Sequence, residues 1–179
     1  MNVVCISASN VLHYKSNSTP SRVCERIKET IDTEHGPEAT AEIIELSNYE
    51  LKPCIGCGKC YEVGTCGQDD NFNLIFAKLV KADALFIVSA HYAPIPSKLA
   101  MLLEKIEQLA FLRRFHDDHV SPLHGKPAGI IAHGGGTNKV MRSYKAMVLD
   151  TIANALSWPV GMNIVGISKK WPNGVVFPV

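Results

Sequence analysis

Five short apolar runs, separated by stretches of helical period, constrain this chain more than any other feature. The runs are Val3–Ser7, Ala41–Leu46, Ala84–Ser89, Ala128–His133 and Asn163–Ile167. Most lack the polar alternation of a strand with one wet face, so they read as strands buried on both sides. Between them apolar residues recur three or four apart. Leu99, Leu102, Leu103, Ile106, Leu109 and Ala110 form one stripe; Val140, Tyr144, Met147, Val148, Thr151, Ile152 and Ala155 form another. Shorter helical patterns fit Pro20–Asp32 and Phe72–Lys81. This alternation predicts an α/β fold, a doubly wound five-stranded parallel sheet with helices on both faces. With 179 residues, 46% of them hydrophobic, and no linker, repeat or low-complexity tract, residues 1–179 are expected to form a single domain. Past the fifth run, Trp171, Pro172, Asn173, Gly174 and Pro178 make a poor helix. A final helix is therefore expected to be absent, with the extended tail or a second subunit covering that edge.

A formal net charge of +1, with no basic stripe interleaved with aromatics, argues against a nucleic-acid partner. No apolar run approaches the ~20 residues that span a bilayer, so no membrane partner is expected either. The opening MNVVCISAS lacks the basic segment of a signal peptide. The expected location is the cytoplasm, where thiols stay reduced.

Ligands of open parallel sheets bind outside the carboxyl ends of the strands, near the point where strand order reverses. After the first run comes SASNVLHYKSNSTPSRV, with Thr19 placed to cap a helix and Pro20 in its first turn. A helix N-terminus has free N–H groups and a positive dipole end that hold a phosphate, and Ser9, Ser16, Asn17, Ser18 and Thr19 add side-chain donors. An ordinary polar loop ending in a cap fits the same residues equally well. Neither G-x-G-x-x-G nor G-x-x-x-x-G-K-[ST] occurs, which speaks against a dinucleotide fingerprint and a P-loop. After the third run, SAHYAPIPSKL stiffens the chain with two prolines. Tyr92 there either offers a flat ring to a planar ligand or packs on the next helix. After the fourth, AHGGGTNK lets backbone N–H groups approach a ligand closely, or simply turns.

The most chemically loaded stretch is PCIGCGKCYEVGTCGQDD, residues 53–70, which holds four of the six cysteines. Cys54, Cys57, Cys60 and Cys66 follow C-x2-C-x2-C-x5-C, and the interspersed glycines permit a tight wrap around a compact cluster. Zinc is a second reading, although structural zinc sites usually split their ligands into two separated pairs. Thiols without metal, forming part of a site wall, are the third. Cys5 and Cys24, in the first strand and helix, read as small buried hydrophobes. His116, His119 and His124 with Asp117 and Asp118 read as a solvated helix end in preference to a metal site.

Four features occur in order: the hydroxyl-rich first loop, CIGCGKC…C, the S-x-x-Y…S-K-L segment and the glycine loop. Over Met1 to about Ile167 the chain resembles the flavodoxin-like NAD(P)H-dependent FMN reductases, and their iron–sulfur flavoprotein branch in particular. The resemblance implies that Ser9, Ser16, Asn17, Ser18 and Thr19 bind the FMN phosphate. It implies that Ala90, His91, Tyr92 and Ala93 run along the isoalloxazine ring, and that His133, Gly134, Gly135 and Gly136 face its polar edge. It also implies a 4Fe–4S cluster on Cys54, Cys57, Cys60 and Cys66. The chain departs from the pattern where G-S-P-R becomes Ser7-Ala8-Ser9-Asn10, where Ala93 replaces an aromatic, and where T-G-G-x-x-G-G shrinks to Gly134–Gly136. The implied activity is electron transfer from transiently bound NAD(P)H through FMN to a quinone, a nitro compound, free flavin or an iron–sulfur partner. His91 and Tyr92 would tune the site. An electron carrier without its own small-molecule substrate, or a cysteine-based metal or redox sensor, are the alternatives. A homodimer or homotetramer is expected.

Overall fold

The computed structural model describes residues 1–11, 17–116, 120–158 and 160–179, and the side chains of all of these except 112–116 and 138. In chain order the elements are β1 (Asn2–Ala8), α1 (Thr19–His35), β2 (Thr40–Glu45), a short α2 (Cys60–Val63), α3 (Asp70–Lys81), β3 (Ala84–Ala90) and α4 (Ser97–His116). Then come β4 (Pro127–Gly134), α5 (Met141–Tyr144), a π-turn (Lys145–Leu149), α6 (Asp150–Ser157), β5 (Asn163–Val165) and β6 (Val175–Pro178). The sheet is parallel throughout, in the order β2-β1-β3-β4-β5. Strand order reverses between β1 and β3, as in the flavodoxin-like doubly wound fold.

The unalternating apolar runs have the expected cause. In β1 every residue from Val3 to Ala8 is buried, because helices cover both of its faces. Val4, Ile6, Leu85, Ile87, Ala128 and Ile130 meet α3, α4 and α6 through Phe72, Leu79, Leu102, Ile106 and Ile152. On the other face Val3, Cys5 and Val88 meet α1 through Cys24 and Ile31. Cys5 and Cys24 are thus the buried hydrophobes expected of them, and burial pushes the Cys5 thiol up to about 12. Among the described residues no helix is long and apolar enough to cross a membrane.

Two helix starts differ by a residue or two from expectation, in each case because another side chain serves as the cap. Ser18, not Thr19, caps α1: its backbone is extended and its Oγ accepts from the Ser21 amide at 3.3 Å. Asp69 caps α3, accepting from the Phe72 amide at 2.9 Å, so that helix starts at Asp70 and not at Phe72.

The fifth position of the sheet holds two strands where one was expected. β5 pairs with Pro127–Gly129 of β4, and β6 pairs with Ile131–Gly134 of the same edge. Between them the chain leaves the sheet at Gly166, where a Cβ would lie 2.4 Å from the Pro172 carbonyl oxygen. A tight hairpin closes by the Ile167 amide donating to the Trp171 carbonyl at 3.0 Å. The expected strand therefore stops at Val165, and the extended apolar tail returns as β6. No helix follows β5 among the described residues. On the α1 side, α1 spans β1, β2 and β3. Over β4 the Phe86 ring lies against Gly129, where a Cβ would sit 2.6 Å from it.

Gly174 admits β6 to the sheet: its φ is +125°, and a Cβ there would meet the Ile130 carbonyl oxygen at 2.1 Å. Gly174→Ala is expected to cost roughly 3 kcal/mol from backbone conformation and overpacking together. Urea unfolding is the check, and an unchanged midpoint would show that β6 contributes nothing to stability.

Candidate functional site

The carboxyl ends of β1, β3 and β4 carry the loops that bracket the reversal point. At the end of β1, Ser7 Oγ lies 2.9 Å from Ser21 Oγ, which lies 2.9 Å from Ser18 Oγ, all three residues being buried. This hydroxyl chain fastens the first turn of α1 to β1 and fixes where the helix N-terminus sits. Ser18 is thereby occupied as a cap, and Ser9 Oγ accepts from the Val11 amide at 3.2 Å. Asn17 is exposed and Thr19 half-buried, while the first turn of α1 contains no acidic side chain. The positive end of a 17-residue helix thus has its Ser18 cap but no carboxylate in its first turn to offset the dipole. Ser16 lies outside the described residues.

The ends of β3 and β4 are tied together, the His91 amide donating to the His133 carbonyl at 2.8 Å. Ala90 is buried. Tyr92 is exposed, its amide donating to the Pro94 carbonyl at 3.0 Å. Ala93 adopts φ +43° beside a cis bond to Pro94; a positive φ is uncommon for a residue with a side chain. Three ring nitrogens here are buried without a hydrogen-bond partner among the described residues: Nε2 of His91 and both nitrogens of His133. The His133 ring stacks on Phe177 of β6 at 5.5 Å, and burial drives its pKa from 6.5 to about 4. It is therefore neutral, with one N–H and one lone pair to offer. Gly134 is buried and Gly135 and Gly136 exposed, with Gly136 at φ +114°. Neither the Gly135 nor the Gly136 amide donates to a described residue.

The cysteine segment leaves β2 and returns to α3 over a buried ion pair. Lys105 of α4 donates to Asp69 Oδ2 at 2.6 Å and to the Lys52 carbonyl, and the Lys52 amide donates to the same carboxylate oxygen at 2.8 Å. Both charged side chains are almost wholly buried, at 3% and 1% exposure. Burial by itself raises the Asp69 carboxyl. The Lys105 ammonium and the Lys52 and Phe72 amides outweigh it and hold the pKa below the ordinary carboxylate range. The pair pins residue 52 entering the loop and residue 69 leaving it. Within the loop the Cys54 amide donates to Glu104 Oε1 at 2.5 Å, and Asn73 exchanges two 2.8 Å hydrogen bonds with the Cys66 backbone.

Cys54, Cys57, Cys60 and Cys66 line one pocket with Lys105, Phe72 and Leu109 at its floor. Burial above all, then the neighbouring Cys54, Cys66 and Cys57, raises the Cys60 thiol. Cys54 and Cys57 are exposed and Cys60 and Cys66 half-buried. Among the described residues no three His, Cys, Asp or Glu side chains converge to metal-ligand geometry. The donor set suits a soft metal or cluster, and positive φ at Gly56, Gly58 and Gly64 lets the backbone turn around one, but the four sulfurs are not gathered. Of the histidine–aspartate group near the end of α4, residues 117–119 and the side chain of His116 lie outside the described set, and His124 packs on Gly161.

A family model described as NADPH-dependent FMN reductase matches residues 1–172. The chain belongs to this family. Among the curated relatives of this chain, an iron–sulfur flavoprotein of Methanocaldococcus jannaschii is 31% identical over 98 residues, 54% of this chain and 47% of that protein. One from Archaeoglobus fulgidus is 42% identical over 52 residues, 29% of this chain and 25% of the relative. One from Clostridioides difficile is 27% identical over 140 residues, 75% and 59% of the two chains. Each match thus takes in less than two thirds of the relative's own length. Solved structures share the fold at low identity. An azoreductase from Bacillus anthracis superposes with a TM-score of 0.63 at 14% identity over 90% of this chain and 82% of its own. A flavone reductase gives 0.61 at 14% identity over 99% and 54%.

Residues that the sequence pattern did not single out complete the candidate site. Ser7 and Ser21 seat α1. Tyr144, one member of an apolar stripe by its spacing, lies against His91 with ring centroids 4.8 Å apart and donates its hydroxyl to the Gly135 carbonyl. Lys105 and Asp69 anchor the cysteine segment. A lone lysine amid Leu102, Leu103, Ile106 and Leu109 was the available signal for that pair.

The depressed His133 value has a stability consequence. Because the unfolded chain takes up this proton near 6.5 and the folded one only near 4, stability is complete above about 6.5 and falls as pH drops through that window. The loss approaches roughly 3 kcal/mol near pH 4. His133→Gln is expected to flatten this slope between pH 6.5 and 4 in denaturant titrations, and an identical slope in the variant would show that His133 is not its source.

Proposed function

We propose that the loops after β1, β3 and β4 hold FMN and that the chain is an oxidoreductase taking electrons from NAD(P)H. The observation that carries this reading is the set of unspent donors at the reversal point of a chain in the FMN reductase family. These are the Gly135 and Gly136 amides and the buried nitrogens of His91 and His133, none of which meets a partner among the described residues, beside the positive dipole end of α1, whose first turn carries no acidic side chain. A phosphate suits the helix end, since its charge meets the positive end of the dipole. A planar heterocycle with polar atoms along one edge suits the glycine loop, with Tyr92 and the backbone of Ala90–Ala93 beside its face. Buried imidazole nitrogens left without partners cost free energy that a ligand's hydrogen bonds recover. Bound there, the flavin would supply hydride acceptance and release of electrons singly or in pairs. The chain's own share is position: Ser18 and Ser21 fix the phosphate end, and the β3–β4 clamp fixes the ring end. The acceptor is proposed to be a quinone, a nitro compound, free flavin or an iron–sulfur centre. We propose that Cys54, Cys57, Cys60 and Cys66 close around a 4Fe–4S cluster, whose chemistry there would be one-electron transfer.

Asn17→Asp tests the phosphate end. The change is nearly isosteric and exposed, and a carboxylate beside the first turn is favourable to the helix itself. FMN affinity, read by fluorescence quenching, is expected to fall about tenfold or more with the melting temperature maintained. Unchanged affinity would remove the phosphate from this helix. For the cysteines, protein prepared without oxygen is expected to carry about four irons per chain, and Cys60→Ser to lose most of them. Iron-free wild-type protein that resists reconstitution would leave the four thiols as pocket wall. Steady-state NAD(P)H oxidation with added quinone separates an enzyme from a bare electron carrier.

A further inference from the structure

We propose that Tyr144 is a positioning residue, whose hydroxyl locks the Gly135–Gly136 peptide so that the Gly136 amide stands as a fixed donor for the ligand of the crevice. Three independent features support this. The first is the hydrogen bond itself, from Tyr144 Oη to the Gly135 carbonyl. That carbonyl and the Gly136 N–H belong to one planar trans peptide and point in opposite directions. Holding the oxygen toward Tyr144 therefore turns the Gly136 N–H away from it, and no described residue accepts from that amide. Gly136 needs such a hold, because its φ of +114° lies where only glycine rests comfortably and glycine by itself is loose.

The second feature is a slot cut to the ring. Gly134 has no side chain where one would collide, a Cβ there lying 2.7 Å from two carbons of the Tyr144 ring. The His91 ring also lies against it, tilted, with 4.8 Å between centroids. The ring thus packs against the ends of both β3 and β4, which the His91–His133 backbone bond already joins.

The third is the helix geometry. Tyr144 is the last residue of α5, and Lys145–Leu149 form a π-turn before α6 begins. A π-turn adds one residue, which rotates the downstream helix by about 100° relative to the upstream one. In an unbroken helix Tyr144 would share a face with Val148 and Ile152, which are fully buried against the sheet. The extra residue lets those two stay in the core while Tyr144 meets the glycine loop. The turn is braced: Lys145 Nζ bonds both oxygens of Asp150 at 2.9 and 3.1 Å, and Asn173 Nδ2 donates to Asp150 Oδ1 at 3.0 Å.

The choice of FMN as probe rests on the function proposed above; the dynamic readout does not. Tyr144→Phe keeps the ring's contacts with Gly134 and His91 and deletes the hydroxyl alone. In ligand-free protein, amide relaxation is expected to give Gly136 a rigid order parameter near 0.85 in the wild type and below about 0.6 in the variant. The dissociation constant for FMN is expected to rise about three- to tenfold, the weight of one neutral hydrogen bond, and the bound flavin's midpoint potential to fall. An equal Gly136 order parameter in the two proteins overturns the proposal, as does equal FMN affinity despite a loosened loop. Wild-type protein that fails to bind FMN overturns the functional reading instead, and the relaxation comparison still decides whether Tyr144 orders the loop.

Discussion

Everything at the candidate site depends on one constraint: β1 and β3 are buried from both sides. A parallel strand in that position has no wet face on which to place polar side chains, so its chemistry can appear only where the strand ends. Ser7 is the last residue but one of β1 and spends its hydroxyl on α1. Ala90 closes β3, and the next residue, His91, is the first with a titratable ring. The apolar interior thus fixes the stems of three loops to the spacing of neighbouring strands. The loops can vary without endangering the core.

This dependence explains which parts of the molecule were legible in the sequence. Apolar runs and helical stripes are local patterns imposed by burial, so the parallel sheet and most of its helices could be read directly, and with them the position of the loops at its strand ends. Tyr144 could not, because its stripe assumed an unbroken 3.6-residue period and nothing local announces the π-turn that rotates it out. β6 was missed for a related reason. Trp171, Pro172, Asn173 and Gly174 do forbid a helix, and the tail reads as extended. Its pairing with the upper half of β4 depends on Gly174 passing the Ile130 carbonyl, a long-range fact. The cap of α1 was placed at Thr19 and falls at Ser18, since hydroxyl side chains stand at both positions and either could cap the helix.

The Asp69–Lys105 pair shows the same limit at higher stakes. A lysine inside an apolar helical stripe looks like an error until its carboxylate partner arrives from 36 residues earlier. Such pairs add little net stability compared with an apolar replacement of the same volume, but removing one partner alone is costly. Here the geometry is what the pair supplies, because Lys105 also takes the Lys52 carbonyl and Asp69 also takes the Lys52 amide and caps α3. The four thiols, two exposed and two half-buried, therefore lie on a glycine-rich loop pinned at both ends.

Sharing one sheet position between β5 and β6 also changes how the molecule meets other chains. An outer strand normally presents an unbroken row of unpaired N–H and C=O groups, onto which a foreign strand can zip. In this protein the row is interrupted after three residues by the Gly166–Gly174 excursion and resumes for only four. Neither piece is long enough to template a stable added strand, and the hairpin bearing Lys169 and Lys170 stands between them. The detour thus acts as a guard against runaway edge-to-edge aggregation.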